Sequence, residues 1–502
     1  MTIYINHAFH YETENLVRLF FPNDKITVCR EKPDEATRPL ITALIFPADN
    51  GSRIFVSVAA EDFYAEDTVT VTDEPAQSAE IHEKNLERTL AVTLYGLLVK
   101  LTGRVQPWGI LTGVRPIKLF RRLTEQYGEA YAKDYFRQQL LVSEEKTALS
   151  AVTEKYEKKI LALSQPRSFS LYVSIPFCPS RCAYCSFVSQ TIESAKKLIA
   201  PYFELLCQEL AVTAEIAAAC GLRLESVYIG GGTPTTLNAG QLRTLIETIR
   251  RCFDMRTCRE FTVEAGRPDT IDREKLQAIL EGGADRISIN PQTLNDEVLQ
   301  VIGRRHSAED TLKAFDLART VGFRHINMDL IAGLPTETPD SFVRTLDQLC
   351  ALSPESITVH TLSMKRSSHL TLQGKELYTE KESPAAAMLR YGEQKLTAEG
   401  YHPYYLYRQT RMEGNLENVG WSKEGFDGLY NIFVMDETHT ILGCGAGAVT
   451  KLKKPLSESL ERIFNYKYPY EYINGFDELL RRKERVTTFY DELAEYLSQI
   501  CL

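Results

Sequence analysis

The pattern of apolar and polar positions gives the chain three successive textures. In the first, "ITVCRE", "LITALIFP" and "RIFVSVAAED" alternate as half-buried strands do. From "SAEIHEKNLERTLAVTLYGLLVKLTG" onward, apolar residues recur three and four apart, which predicts helices. Strands followed by helices predict a small α+β domain over residues 1–165. In the second texture short apolar runs recur: "FSLYVSIPF", "ESVYIGG", "EFTVEAG", "RISIN", "HINMDLIAG" and "SITVHTL". Helical stretches such as "SAEDTLKAFDLARTVG" separate them. Runs read as apolar on both faces predict parallel strands covered on both sides. Six such βα units within residues 166–380 predict an α/β fold, a partial (β/α)6 barrel, with a doubly wound sheet as the alternative. In either, ligand groups gather at the C-terminal strand ends. The third texture, residues 381–502, starts with the helix "PAAAMLRYGEQKLTAEG" and continues through an aromatic, polar stretch. A Gly-rich segment and a Tyr-rich tail complete it, predicting a smaller region across one barrel edge.

Length and composition narrow the class. A chain of 502 residues calls for two or three domains. Its 44% hydrophobic and 25% charged residues are an ordinary soluble mix. A net charge of −9 with scattered basic residues argues against a nucleic-acid partner. "MTIYINHAFHYETENLVRLF" lacks the basic head and apolar block of a secretion signal, and no apolar run reaches bilayer length. A cytoplasmic location is expected, where thiols stay reduced and clustered cysteines hold metal more often than they form disulfides.

That sharpens the interest of "IPFCPSRCAYCSF", which gathers Cys178, Cys182 and Cys185 after an apolar strand. A structural zinc site takes four protein ligands, often as two C-x2-C pairs, and the second pair is missing here. A [4Fe–4S] cluster held by three thiolates keeps one iron open to a substrate or cofactor. Three unrelated buried thiols, or zinc with a distant fourth ligand, are the alternatives. Downstream, "VYIGGGTPTTL" ends a predicted strand in Gly230, Gly231 and Gly232, where bare backbone can approach a ligand, with Thr233 beside it. "FTVEAGRPDT" carries Glu264; "ISINPQTLNDEVLQVIGRRHS" carries Gln292, Arg304 and His306. "INMDLIAGLPTET" sets Asp329 inside an apolar strand, facing a ligand or paired with Arg or Lys.

CPSRCAYC resembles the CxxxCxxC loop of radical S-adenosylmethionine (SAM) enzymes. The resemblance implies that the SAM amino and carboxylate groups chelate the open iron, and that a 5′-deoxyadenosyl radical abstracts hydrogen from the substrate. From about 170 to 450 the segments together resemble the oxygen-independent coproporphyrinogen III oxidase-like family, and "QPWGILTGVRPIKLF" resembles the extra domain of its HemZ-type branch. By motif matching the resemblance implies cluster ligands Cys178, Cys182 and Cys185. It likewise implies cofactor contacts from Tyr172, Tyr184, Gly231, Gly232, Thr233, Glu264, Gln292, Arg304 and Asp329. A tetrapyrrole substrate (coproporphyrinogen III or heme) and an electron donor such as flavodoxin or ferredoxin follow from it.

The sequence also departs from its relatives. Phe187 stands where the oxidase type carries a further cysteine; the heme-chaperone branch has phenylalanine there too. That branch's His-Asn-x-x-Tyr-Trp stretch matches only "ENVGW", with Glu417 in the histidine position and Asn418 and Trp421 retained. Ser174 replaces a family histidine. The expected activity is conversion of two propionate arms of coproporphyrinogen III to vinyl groups. Heme trafficking, or methylation or ring opening of heme, are the alternatives. Arg267, Arg408 and Arg411 are candidate clamps for propionates, bidentate arginine being the best partner of a carboxylate. Trp108 with Arg115, Lys118, Arg121 and Arg122 suggests a tetrapyrrole or reductase surface, or an ordinary charged helix face; Cys444 suggests a packed thiol.

Overall fold

The early alternation is realised as a five-stranded sheet. In the computed structural model, which describes residues 1–500 except 35–36, 74–77, 366–367, 369, 371–375, 378–382 and 456, these strands are β1 (Thr2–Ile5), β2 (Thr27–Cys29), β3 (Leu40–Ala48), β4 (Gly51–Ala59) and β5 (Tyr64–Thr72). Their order is β2-β1-β3-β4-β5, with β3, β4 and β5 joined as antiparallel neighbours. The alternate residues Ile3 and Ile5, Ile41 and Ala43, and Ile54, Val56 and Val58 form the core with Leu16, Val17, Leu90 and Leu94 of the helices His10–Phe20 and Ala79–Thr102. The second helix ends at Gly103, whose φ of +66° closes the last turn as glycine does readily.

The second sheet has 11 strands. β6 (Ser168–Ile175) leads into a short pair, β7 (Phe177–Cys178) and β8 (Gln190–Thr191). Then come β9 (Arg223–Gly231), β10 (Glu260–Glu264), β11 (Arg286–Ser288), β12 (His325–Ala332) and β13 (Ser356–Thr361). From β6 through β9 to β13 each strand lies parallel beside the next, separated in sequence by helices such as Ile199–Ala219 and Ala239–Cys252. A doubly wound sheet would reverse its strand order partway. From β6 to β13 this one does not, and that unbroken run is the arrangement of a partial barrel.

Two expectations are redrawn. The C-terminal stretch is no separate region: β14 (His402–Tyr407) and β15 (Asn418–Ser422) extend the sheet beyond β13, while β16 (Thr440–Cys444), β17 (Val449–Lys453) and β18 (Leu460–Phe464) extend it beyond β6. The compact units accordingly number two: Met1–Glu154 with Gly374–Ala387 and Leu406–Glu417, and Lys155–Gln373 with Met388–Tyr405 and Asn418–Leu502. The first division thus lies at 154, near the expected 165, while the stretch after 373 is shared between the two units.

The barrel strands also are not apolar on both faces. Register pairs Ser170, Tyr172 and Ser174 of β6 with Ser226, Tyr228 and Gly230 of β9. The same face carries Thr262 and Glu264, then Ser288, Asn327 and Asp329, and finally Thr358. Two residues further along β13, His360 lies on it too. The opposite positions, among them Leu171, Val173, Val227, Ile229, Val263, Ile287, Met328 and Leu330, are fully buried and apolar. The polar face lines the lumen.

Candidate functional site

At the end of β6 the three cysteines occupy one pinned loop. Cys185 N–H donates to Cys182 O (3.1 Å) and Ala183 N–H to Ile302 O (2.9 Å), while Ser180 Oγ donates to Gly303 O (3.0 Å). Arg267, expected as a propionate clamp, is instead buried in this loop. It donates to Ser180 Oγ (3.1 Å), to Cys182 Sγ (3.5 Å) and to Asp269 Oδ1 (3.1 Å). Burial raises the Cys178 thiol and pushes Cys185 up to about 11. Binding metal here therefore means displacing protons. Among the described residues no three His, Cys, Asp or Glu side chains converge as a single ion would require.

Against this loop lies the glycine run that ends β9. Gly231 has φ +110°, and a Cβ there would stand 2.9 Å from Ile175 N. A Cβ on Gly232 would fall 2.5 Å from Phe177 O and 2.9 Å from Cys178 Sγ. Only bare backbone lets the strand end press on a cysteine in this way. Thr233 Oγ1 donates to Cys178 Sγ at 3.6 Å.

The lumen continues the site. Tyr172, Tyr228 and Tyr430 stack, with Tyr228 and Tyr430 centroids 4.5 Å apart and Tyr172 6.2 Å from Tyr430. The Tyr228 hydroxyl donates to Glu264, whose carboxyl burial pushes up to about 7. Burial works against the charge of Asp329 as well, but hydrogen bonds from His360, Asn327 and Thr358 outweigh it and hold Asp329 below the usual carboxylate range. The partner of Asp329 is thus an imidazole (His360 Nε2, 3.6 Å) and an amide (Asn327 Nδ2, 2.7 Å), not the expected Arg or Lys. Gln292 adopts φ +70° because its backbone bridges to β12, donating to Asp329 O (2.9 Å) and accepting from Ile331 N–H (3.0 Å). Arg304 joins Tyr184: its guanidinium donates to the Tyr184 hydroxyl (3.0 Å) and to Asn290 O (2.5 Å). Among the described residues, Gln292 Oε1 and Arg304 Nε are buried here without a hydrogen-bond partner. Such atoms are costly unless a ligand satisfies them. With the three thiols and the glycine cradle, they fit the cofactor pair expected here.

Other expected residues serve structure. Arg408 is buried over the Trp108 ring (5.4 Å), donating to Leu111 O (2.6 Å) and Asn415 O (3.0 Å), so it is no clamp. Trp108 itself is buried rather than surface-lining, its indole donating to Glu417 Oε2 at 2.7 Å. Lys146 Nζ lies 2.6 Å from Glu417 Oε1, in an ion pair with side chains 8% and 1% exposed. Asn418 Oδ1 accepts from Thr361 N–H (2.8 Å), and Trp421 is buried. His306 is buried 3.7 Å from Asp269. Ser174 Oγ donates to Ala446 O (2.8 Å), and Cys444 is a buried thiol near Thr213 (3.3 Å), pushed up to about 12 by burial. Arg411 sits at φ +58°. Phe187 is 71% exposed.

Sequence reading passed over Tyr228, Asn290, His360 and Tyr430. The signal for the first three was present: in "ESVYIG", "ISIN" and "ITVH" the polar residues fall two apart. Tyr430 arrives from the helix Leu429–Asp436, which no strand pattern announces.

The chain is similar to several known proteins. The Radical SAM superfamily model matches residues 172–349. An oxygen-independent coproporphyrinogen-III oxidase-like protein HemZ of Bacillus subtilis is 34% identical over 497 residues, 98% of this chain and 96% of the relative. The heme chaperone HemW of the same organism is 33% identical over 52% of this chain and 68% of the relative. An oxygen-independent coproporphyrinogen III oxidase of Pseudomonas aeruginosa is 35% identical over 38% of this chain and 41% of its own length. Among solved structures, coproporphyrinogen III oxidase HemN of Escherichia coli aligns with a TM-score of 0.48 at 25% identity, over 64% of this chain and 71% of that one.

Proposed function

The chain belongs to the oxygen-independent coproporphyrinogen III oxidase-like family of radical SAM proteins, whose members use a [4Fe–4S] cluster and SAM, and from that membership we propose that it oxidatively decarboxylates coproporphyrinogen III. Cys178, Cys182 and Cys185 hold the cluster. Gly231, Gly232 and Thr233 bind the cofactor's amino end. Tyr172, Tyr184, Glu264, Gln292, Arg304 and Asp329 complete its pocket, with Gln292 Oε1 and Arg304 Nε waiting for partners. When bound, the pair supplies a carbon-centred radical that takes hydrogen from a propionate β-carbon; carbon dioxide and one electron, passed to an external acceptor, then leave a vinyl group. The chain's own residues orient the substrate and exclude water, the tyrosine stack giving the lumen a flat apolar wall. A flavodoxin or ferredoxin is the proposed electron donor.

The observation that carries the oxidase reading is Glu417. In the position where heme-chaperone relatives have histidine, this chain has a carboxylate sealed against Lys146 and Trp108. That group offers no imidazole to a heme iron. Among the described residues no helix is long and apolar enough to cross a membrane.

The test is an anaerobic assay of the reconstituted protein with SAM and a strong reductant, supplying coproporphyrinogen III or heme separately. 5′-Deoxyadenosine should rise with coproporphyrinogen III and vinyl products should appear. Stoichiometric heme binding without deoxyadenosine, or methylated or linear tetrapyrroles, would overturn the reading.

A further inference from the structure

The lumen face presents one polar side chain toward the end of each parallel strand: Tyr172, Tyr228, Glu264, Asn290, Asp329 and His360. The cofactor assignment accounts for Tyr172, Glu264 and Asp329. His360 is left without a task. It stands on β13, the far end of the parallel run from β6, which feeds the cysteine loop. Its side chain is 27% exposed, and one ring nitrogen faces Asp329 at 3.6 Å. Among the described residues no group bonds the other.

Charge says what it meets. The ring holds two carboxylates, Glu264 and Asp329, while an incoming tetrapyrrole of the proposed class carries several more. The described arginines around the lumen each hold protein partners, although Arg286 Nη1 and Arg304 Nε are left without a hydrogen bond. Arg286 donates to Ser356 Oγ and Tyr404 OH, both at 3.2 Å, and stands 3.7 Å from Glu260. Arg304 serves Tyr184 and Asn290, and Arg267 serves Asp269 and Ser180. Among these strand-end residues His360 is the basic one; Arg286 lies deeper on the same face of β11. We propose that His360 is a substrate-binding residue: as an imidazolium with one N–H held by Asp329, it donates the other N–H to a carboxylate arm of the tetrapyrrole. A carboxylate-backed imidazole also suits an iron ligand. The substrate in the reading this rests on is metal-free and carries carboxylates, which favours the arm.

The experiment compares the reconstituted full chain with its His360→Phe and His360→Gln variants. Fluorescence titration with coproporphyrin III, the stable oxidised analogue, gives binding; steady-state assays give KM and kcat; SAM binding is titrated in parallel. His360→Phe should weaken coproporphyrin binding and raise KM about tenfold, the size of one hydrogen bond to a charged group. Its effect on kcat and on SAM affinity should be smaller. His360→Gln should recover part of the binding, and the tetramethyl ester should bind wild type and His360→Phe alike. Unchanged coproporphyrin affinity in His360→Phe, with a wild type that makes vinyl products, overturns this proposal alone. So does an equal loss of SAM affinity, which reduces His360 to a support for Asp329, or a heme Soret band that shifts only when His360 is present. A wild type that makes no vinyl product while His360→Phe still weakens binding overturns the oxidase reading and leaves the carboxylate contact standing.

Discussion

In the sheet of β1–β5 the apolar positions face inward under two helices, while the polar positions of β5, such as Thr68 and Thr70, face solvent. In the arc from β6 to β13 the assignment is inverted. Leu171, Ile229 and Val263 face outward into the helical layer, and Ser170, Tyr228 and Glu264 face the lumen. Both sheets have the same period of two. Alternation reports that a strand has a wet and a dry side; it does not say which side is the middle of the domain. The comparison extends to buried polar groups. In the first unit Lys146 and Trp108 both bond Glu417, with the Arg408 guanidinium close enough to feel its charge. In the lumen Gln292 Oε1 and Arg304 Nε remain unsatisfied, as a ligand site requires.

The contrast is most strongly tested at that buried ion pair. Lys146→Met removes the ion-pair partner of the buried Glu417 and should cost about 3–5 kcal/mol in denaturant unfolding. Adding Glu417→Gln should recover most of that loss; a loss below about 1 kcal/mol for the single variant would mean water reaches the pair. A middle-sized effect is expected at Glu264. Its folded pKa is raised to about 7, so the protonated form contributes stability below the ordinary carboxylate range, and this is lost as pH rises through about 7. The cofactor-free protein should lose on the order of 2–3 kcal/mol from this group between pH 5 and 9, and Glu264→Gln should flatten that slope in pH-dependent melts. The smallest effects separate the two polar faces. Thr70→Ala on the solvent face of β5 should stay within about 0.5 kcal/mol. Ser226→Ala, which removes the 2.7 Å partner of Ser170, should cost about 1 kcal/mol by the same melts.

Much of the site was legible before folding was considered. The cysteine spacing and the glycine run are local features, and the structure presses Gly232 against Cys178. The lumen was half-legible: the runs were read as apolar throughout because Leu, Val and Ile dominate them, while the interleaved Ser, Thr, Asn and His carried the second face. The arginines were least legible. Arg267 and Arg408 have the chemistry of clamps, but their partners, Asp269 and Cys182 for one and Leu111 O and Asn415 O for the other, are matters of chain path.

By itself the sequence determined the period of each element, the thiol spacing and the backbone freedom at Gly231 and Gly232, because these depend on residues a few positions apart. Tertiary structure alone decided which strand face became the lumen, that Asp329 would meet His360, and that the C-terminal strands would lengthen the main sheet. Those outcomes depend on contacts between segments tens to hundreds of residues apart, and a residue's own type does not encode which distant partner will reach it.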